Sequence, residues 1–168
     1  MSISEAVASA SAHLTEHPDE ARYRDSVARA RIDEGLAVLV GDPGGLEIRT
    51  DMPRAIGGNE SAPSPGWLFR AAIASCVASL VGIRAAVLQI PLDAVEVEVD
   101  SESDDRGILG LDKAIPAGPL SLRIVVTIRA RGGGRAQLNE LAHWAVDHCP
   151  AADGVRRAVP VEVEVRSA

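Results

Sequence analysis

Aromatic residues are scarce in this sequence. Its 168 residues include two Trp, one Tyr and one Phe, although hydrophobic residues make up 46% of the chain. A core must therefore be built from Ala, Val, Leu and Ile, and small side chains bury little apolar surface each, at about 25 cal/mol per Å². Such a core favours close contact between helices and a partner subunit, and the chain length fits one domain.

A net positive charge and long hydrophobic runs are also lacking. Lys113 is the only lysine and the net charge is −7, which argues against a nucleic-acid or anionic-membrane partner. The apolar runs stop short of the 18 residues typical of a membrane span, and Glu5 stands where a signal peptide would be basic. These absences predict a cytoplasmic protein, in a compartment where thiols stay reduced.

Cysteine occurs twice, as Cys76 and Cys149, without a Cys-x-x-Cys motif. Three roles remain open: two inert core thiols, one structural disulfide, or a reactive pair that the fold brings together. A reducing compartment disfavours the structural disulfide. His148 directly precedes Cys149, and His13 and His17 have a metal-site spacing but no further ligands beside them, so we expect neither a metal nor a cofactor.

The first part of the chain predicts one helix and three strands. Ser4 can cap a helix that ends near Thr15, and we interpret residues 1–20 as a helical extension of a single domain over residues 21–168. Alternating apolar residues predict strands at 27–32, 36–40 and 46–50. Short turns join them, which favours an antiparallel meander.

A long helix follows. Ser64 and Pro65 are a hydroxyl cap and a proline at the first helical position, and the helix should end near Gln89. Helical spacing places Cys76 mid-helix on an apolar face with Leu68, Ala72, Leu80, Ile83 and Val87.

The rest of the chain predicts three strands and one helix. Alternation marks strands at 95–99, 120–128 and 161–165, and a helix at 136–148 buries Leu138, Leu141 and Ala145. The Gly132–Gly134 run is interpreted as a turn. With the extra N-terminal helix the order is α-βββ-α-ββ-α-β, which indicates the α+β class.

Five features in this order resemble one known family. They are the segments Pro53–Gly58, Pro63–Pro65, Ala74–Cys76, Asp104–Gly107 and His148–Pro150. Together with the order of elements, they resemble the OsmC/Ohr family (osmotically inducible protein C and organic hydroperoxide resistance proteins). The resemblance covers residues 25–166 and leaves the first helix outside.

This resemblance implies a fold, an assembly and an activity. Two chains would intertwine as a homodimer, with antiparallel sheets around long central helices and active sites at the subunit interface. The implied activity is reduction of hydroperoxides, preferably organic ones, with Cys76 as peroxidatic and Cys149 as resolving thiol. The implied reductant is a dithiol or a lipoylated protein. The thiolate would become a sulfenic acid, which the second thiol converts to a disulfide before over-oxidation.

The sequence departs from the family at the residues that activate the thiol. Family peroxidases carry a Glu ten residues before the reactive cysteine, and that position is Gly66 here. Its carboxylate normally orients an Arg, for which Arg29 and Arg31 are the candidates, and Glu60 is the candidate replacement carboxylate. These departures are typical of a divergent OsmC-like branch.

Two other functions compete with the peroxidase hypothesis. The chain could be a small-molecule or acyl-chain binding protein that keeps the fold and has little turnover. It could also use Cys76 in other thiol chemistry, such as detoxifying an electrophile.

Overall fold

The computed structural model describes residues 1–167 and divides the chain into two compact units, Met1–Ala71 and Ala72–Ala168. The division falls inside the longest helix. Helices and small antiparallel sheets together confirm the predicted α+β class. The proposed extension at 1–20 and domain at 21–168 stay predictions.

The first unit begins with helix α1 (Ile3–Glu16) and a single 3₁₀ turn at Pro18–Ala21. The predicted cap at Ser4 was wrong, because Ser2 caps α1 in a reciprocal arrangement with Glu5. The Glu5 amide donates to Ser2 Oγ at 3.2 Å, and the Ser2 amide donates to Glu5 Oε2 at 2.6 Å. Two amides that the helix leaves unpaired are thus satisfied.

Three short strands form the sheet of the first unit: β1 (Arg29–Glu34), β2 (Ala37–Gly41) and β3 (Glu47–Thr50). They pair antiparallel in the order β1-β2-β3, which confirms the predicted meander. All six residues of β1 are exposed, whereas β2 is half-buried. Within this unit β1 therefore presents an open edge.

Asp51 organises the loop that follows β3. Its side chain is 2% exposed and accepts hydrogen bonds from the Met52, Asn59 and Ser61 amides and from Ser61 Oγ. The Ser61 bonds are the main cause that lowers the pKa of Asp51 to about 2. At Gly58 a Cβ would come within 1.9 Å of the Met52 carbonyl oxygen, so only glycine fits this close approach.

Helix α2 (Pro65–Val87) begins as predicted. The Trp67 amide donates to Ser64 Oγ at 3.2 Å, and Pro65 is the first helical residue. The predicted buried face of α2, which included Cys76 and Leu80, was wrong by one position. The fully buried residues are Ile73, Val77, Val81 and Ala85. The helix is apolar on several sides, so spacing alone could not select the buried face.

The length and composition of α2 would also suit a membrane span, a test that the core helix of a soluble protein passes as well. Its buried residues belong to the apolar core of the second unit. One face of α2 therefore contributes to that core.

The second unit pairs strand β4 (Leu92–Glu102) with strand β5 (Ser121–Ala130), and the one-turn helix α3 (Asp105–Ile108) lies in the connection. The predicted alternation is confirmed: the half-buried side chains of both strands pack against the core, and the acidic residues of β4 face outward. Helix α4 (Arg135–Asp147) buries Leu141 and Ala145 against the same core, as predicted.

The C-terminal region differs most from the prediction. A further helix, α5 (Pro150–Arg156), follows Cys149, and the predicted strand at 161–165 does not form. Val161, Val163 and Val165 are 82–87% exposed. A strand requires a hydrogen-bonded neighbour, and among residues 1–167 only β1-β2-β3 and β4-β5 pair.

Candidate active site

Cys76 and Cys149 are 73 positions apart in the sequence and meet in the second unit. Cys76 lies on α2 and Cys149 between α4 and α5, and both are free thiols that pack in the same core and interact with each other. Cys76 is half-buried, whereas Cys149 is fully buried in the core. The fold therefore places one accessible and one inaccessible sulfur in contact.

The local sequence around Cys149 explains its position. Cys149 is the N-cap of α5, with extended backbone dihedrals, and its Sγ accepts a hydrogen bond from the Ala152 amide at 3.4 Å. Pro150 occupies the first helical position, where its fixed φ suits a helix start and its missing N–H costs nothing. The sulfur takes the place that a serine or aspartate oxygen usually fills.

The surroundings of Cys76 favour its protonated form. Burial is the main cause that raises the pKa of Cys76 above its ordinary value, and the hydrogen bond and charge interaction with Cys149 act in the same direction. The Ala151 amide opposes this shift.

A stack of side chains covers the end of α4, where the chain leads into Cys149. The His148 and Trp144 rings stack at 4.2 Å, and the Arg84 guanidinium lies over the Trp144 ring, 4.9 Å from its centroid. A ring nitrogen of His148, Nδ1, is 2.8 Å from the Trp144 carbonyl oxygen. A shallow groove is lined by Arg84, Leu88, Gln137, Glu140, Leu141 and Trp144.

Residues 1–167 contain no group of three or more His, Cys, Asp or Glu side chains that could hold a metal ion.

Comparison with known proteins identifies the family. The family described as OsmC-like protein matches residues 57–164, a region that contains both cysteines. The chain belongs to the OsmC-like family. The match begins later than the predicted resemblance at residues 25–166, because β1, β2 and β3 lie outside it. No match was found among curated proteins.

Solved structures show the same OsmC-like fold. An organic hydroperoxide resistance protein OsmC from Legionella pneumophila is 24% identical, with a TM-score of 0.60, over 80% of this chain and 91% of that one. An OsmC-like protein from Mycoplasma pneumoniae is 12% identical, with a TM-score of 0.69, over 82% and 91%. The organic hydroperoxide resistance protein OhrB of Bacillus subtilis is 22% identical, with a TM-score of 0.53, over 85% and 98%. Such low identities fit a divergent branch.

Gly66, where the resemblance predicts a carboxylate, has room for a side chain. A Cβ built on Gly66 would meet Arg70 Nη1 and Ser64 Oγ at 3.8 Å, which is ordinary van der Waals distance. Steric crowding therefore does not explain why this position lacks a carboxylate.

The three proposed activating residues all lie in the first unit. Arg29 is exposed on β1, where it pairs with Gly41 of β2. Arg31 is also exposed, and its guanidinium lies 3.7 Å from Asp33 and 3.8 Å from Glu47. Glu60 lies 3.5 Å from Arg54 and accepts a hydrogen bond from the Arg54 amide at 3.3 Å. Their role in activating Cys76 stays a prediction.

Sequence reasoning missed the backbone amides of α5, which contact both sulfurs. A signal is present in the sequence, since a cap residue followed by proline at the first position is the helix-start pattern that also occurs at Ser64. Cysteine is a rare cap, so the Cys149–Pro150 pair indicates a helix start less clearly than Ser64–Pro65 does.

Proposed function

We propose that this OsmC-like protein reduces hydroperoxides, preferably organic ones, with Cys76 as the peroxidatic and Cys149 as the resolving thiol. The observation that supports this most is the contact between an accessible and a fully buried thiol in one unit. The structural neighbours from Legionella pneumophila and Bacillus subtilis are named organic hydroperoxide resistance proteins.

The proposed reaction has two steps and a reductive return. The Cys76 thiolate attacks the O–O bond of the hydroperoxide, becomes a sulfenic acid and, with one proton, releases the alcohol. The Cys149 thiol then attacks the sulfenic sulfur, so that a disulfide forms and water leaves. A dithiol, or the lipoyl group of a partner protein, returns two electrons and two protons and restores both thiols.

The difference in burial supports the division of roles. Hydroperoxide must reach the first sulfur, and Cys76 is the more exposed of the two. Cys149 is 0% exposed, so its thiol reacts only with a group that the fold places next to it. Apolar neighbours of Cys76, such as Leu80, favour an alkyl over a hydrogen peroxide substrate.

Thiol titration before and after one equivalent of cumene hydroperoxide tests the proposal. We expect both thiols to be consumed and peptide mapping to find one Cys76–Cys149 disulfide within a chain. Cys149→Ser should consume one peroxide and proceed to the sulfinic acid, whereas Cys76→Ser should keep its thiol. If both thiols of the unsubstituted protein survive, the binding-protein function replaces this one.

We also propose that the protein is a homodimer in the cytoplasm. The C-terminal segment supports this: Val159, Val161, Val163 and Val165 are exposed, and charged residues alternate with the last three. This is the pattern of a strand with one apolar face, which a second copy could pair and cover. Homo-oligomers of this kind are usually two-fold symmetric.

Light scattering tests the dimer. The full chain should show twice its 17.6 kDa mass at micromolar concentration. A chain shortened after Ala158 should be monomeric or dissociate at lower concentration, while Val161→Thr with Val163→Thr should weaken the dimer less. A full-length monomer would exclude the shared-site assembly.

One observation favours the alternative, a small-molecule or acyl-chain binding protein. The pKa of Cys76 is raised, so a smaller fraction of this thiol is ionised at neutral pH than for a free cysteine. Tight binding of a fatty-acid probe without peroxide consumption would support that function.

A further inference from the structure

The first turn of α5 contacts both sulfurs, and proline determines how its amides are shared. Pro150 has no N–H, so Ala151 and Ala152 carry the first free amides of the helix. The Ala152 amide donates to Cys149 Sγ at 3.4 Å, and the Ala151 amide interacts with the Cys76 thiol, whose pKa it acts to lower. Two amides of one turn therefore face the two sulfurs of the dithiol.

These amides have no ready alternative partner inside the chain. An α-helix leaves its first N–H groups without intrahelical acceptors. Ala152 is 5% exposed and Cys149 is fully buried, so water does not easily replace the sulfur as acceptor. A buried amide that loses its acceptor destabilises the turn that carries it.

Disulfide formation changes both acceptors at once. When the Cys76 sulfenic acid condenses with the Cys149 thiol, water leaves and each sulfur becomes bonded to the other. The thiol and the disulfide sulfur are both uncharged, weak acceptors, so the change in the cap comes from the position of the sulfurs. The two sulfurs must also approach to covalent distance, which draws Cys149 from its capping position.

We propose that the first turn of α5 is a redox-dependent cap, held by the two thiols in the reduced protein and released when they form a disulfide. Release exposes the otherwise buried Cys149 sulfur, which gives the reductant access to the bond that it must cleave. The inference rests on the proposed function in one respect, since that function supplies hydroperoxide as the physiological oxidant.

The release is confined to the first turn. At the other end of α5, Arg156 Nη1 lies 3.0 Å from Asp147 Oδ1, which ties the helix to the end of α4. This ion pair does not involve the sulfurs and persists in both redox states. The reduced and oxidised proteins should therefore differ at residues 151–153 more than at residues 155–157.

Amide hydrogen exchange in the full-length protein tests the cap. Diamide, a diazene that takes two electrons and two protons from a dithiol, forms the disulfide without peroxide chemistry. We expect Ala152 exchange to accelerate by about fivefold, as loss of a helix cap does, with little change at Val155. Unchanged exchange at Ala151 and Ala152, with the disulfide confirmed by mass, would overturn the proposal, as would a failure of diamide to form the disulfide.

Matched variants separate capping from disulfide chemistry. Cys76→Ser keeps the Cys149 cap and cannot form the disulfide, so diamide should leave its Ala152 exchange unchanged. Cys149→Ser supplies an oxygen cap and should behave like the reduced protein under both conditions. Cys149→Ala has no cap, and its Ala152 amide should exchange rapidly even when reduced. Slow exchange in the alanine variant would contradict the capping role.

The two proposals fail in different ways. If diamide accelerates exchange but cumene hydroperoxide leaves both thiols intact, the peroxidase function fails and the redox-dependent cap stands. If hydroperoxide forms the disulfide and exchange does not change, the function stands and the cap fails.

Discussion

The two units of this chain are stabilised by different chemistry. Thr50 and Asp51, each 2% exposed, are the buried polar residues of the first unit. The Asp51 carboxylate there accepts hydrogen bonds from the Asn59 and Ser61 amides. The second unit buries aliphatic side chains and one thiol. The first unit should therefore respond to acid, and the second to loss of packing and to oxidation.

The largest expected effect is a cavity in the second unit. Leu141 is 1% exposed, so Leu141→Ala should lower the free energy of unfolding by about 2–5 kcal/mol. Urea unfolding followed by circular dichroism measures it. Leu111 is 71% exposed, and Leu111→Ala is the matched control that should change stability little. Equal losses in both variants would contradict the apolar core assigned to α2 and α4.

Asp51→Asn should affect the first unit and its pH dependence. The native pKa of Asp51 is lowered from 3.8 to about 2, so its contribution to stability is complete above pH 4 and is lost as pH falls toward 2. The variant should lower Tm by several degrees at pH 7, and the difference from the parent should shrink in acid. Asp19→Asn, at an exposed position, is the control. A difference that is constant from pH 7 to 2 would show that the charge is not the cause.

Alkylation of Cys76 measures the electrostatics of the second unit. Since its pKa is raised, the thiolate fraction should grow by about tenfold for each pH unit below that pKa. Iodoacetamide labelling between pH 6 and 9, in the Cys149→Ser background to isolate one thiol, should therefore accelerate steadily. A flat, fast profile would reveal an activating group that opposes burial.

The smallest effect concerns Gly66, near the start of α2 in the first unit. Gly66→Glu adds a carboxylate where the helix dipole favours negative charge, a gain of about 0.3–1 kcal/mol. Gly66→Ala gains helix propensity without charge and is the control. If the family carboxylate acts through an arginine such as Arg29 or Arg31, only Gly66→Glu should accelerate Cys76 alkylation at pH 7. Identical rates would separate this chain from that mechanism.

Local patterns in the sequence predicted local structure well. The Ser64–Pro65 helix start, the alternation along β4 and the buried face of α4 are each set by neighbouring residues, and each was confirmed. The buried face of α2 was not predictable in this way, because its own valine and alanine side chains lie on several faces of the helix. Periodicity therefore distinguishes one face from the next poorly.

The site depends on contacts that a sequence does not display. No spacing rule brings Cys76 to Cys149 across 73 positions, and only the family resemblance implied that pair. The predicted strand at 161–165 has the correct alternation, but within residues 1–167 no neighbouring strand pairs with it. Pairing of such a segment requires a neighbouring strand, which its own residues do not supply.

The valine-rich end has a consequence for solubility. Glu162 and Glu164 separate the exposed valines, Arg166 follows the last of them, and such charges act as gatekeepers against edge-to-edge aggregation. Near the sequence pI of about 5.1 the net charge that keeps molecules apart vanishes, while the valines remain exposed on any unpaired chain. Turbidity should therefore peak close to pH 5, and the peak should disappear when the last ten residues are removed.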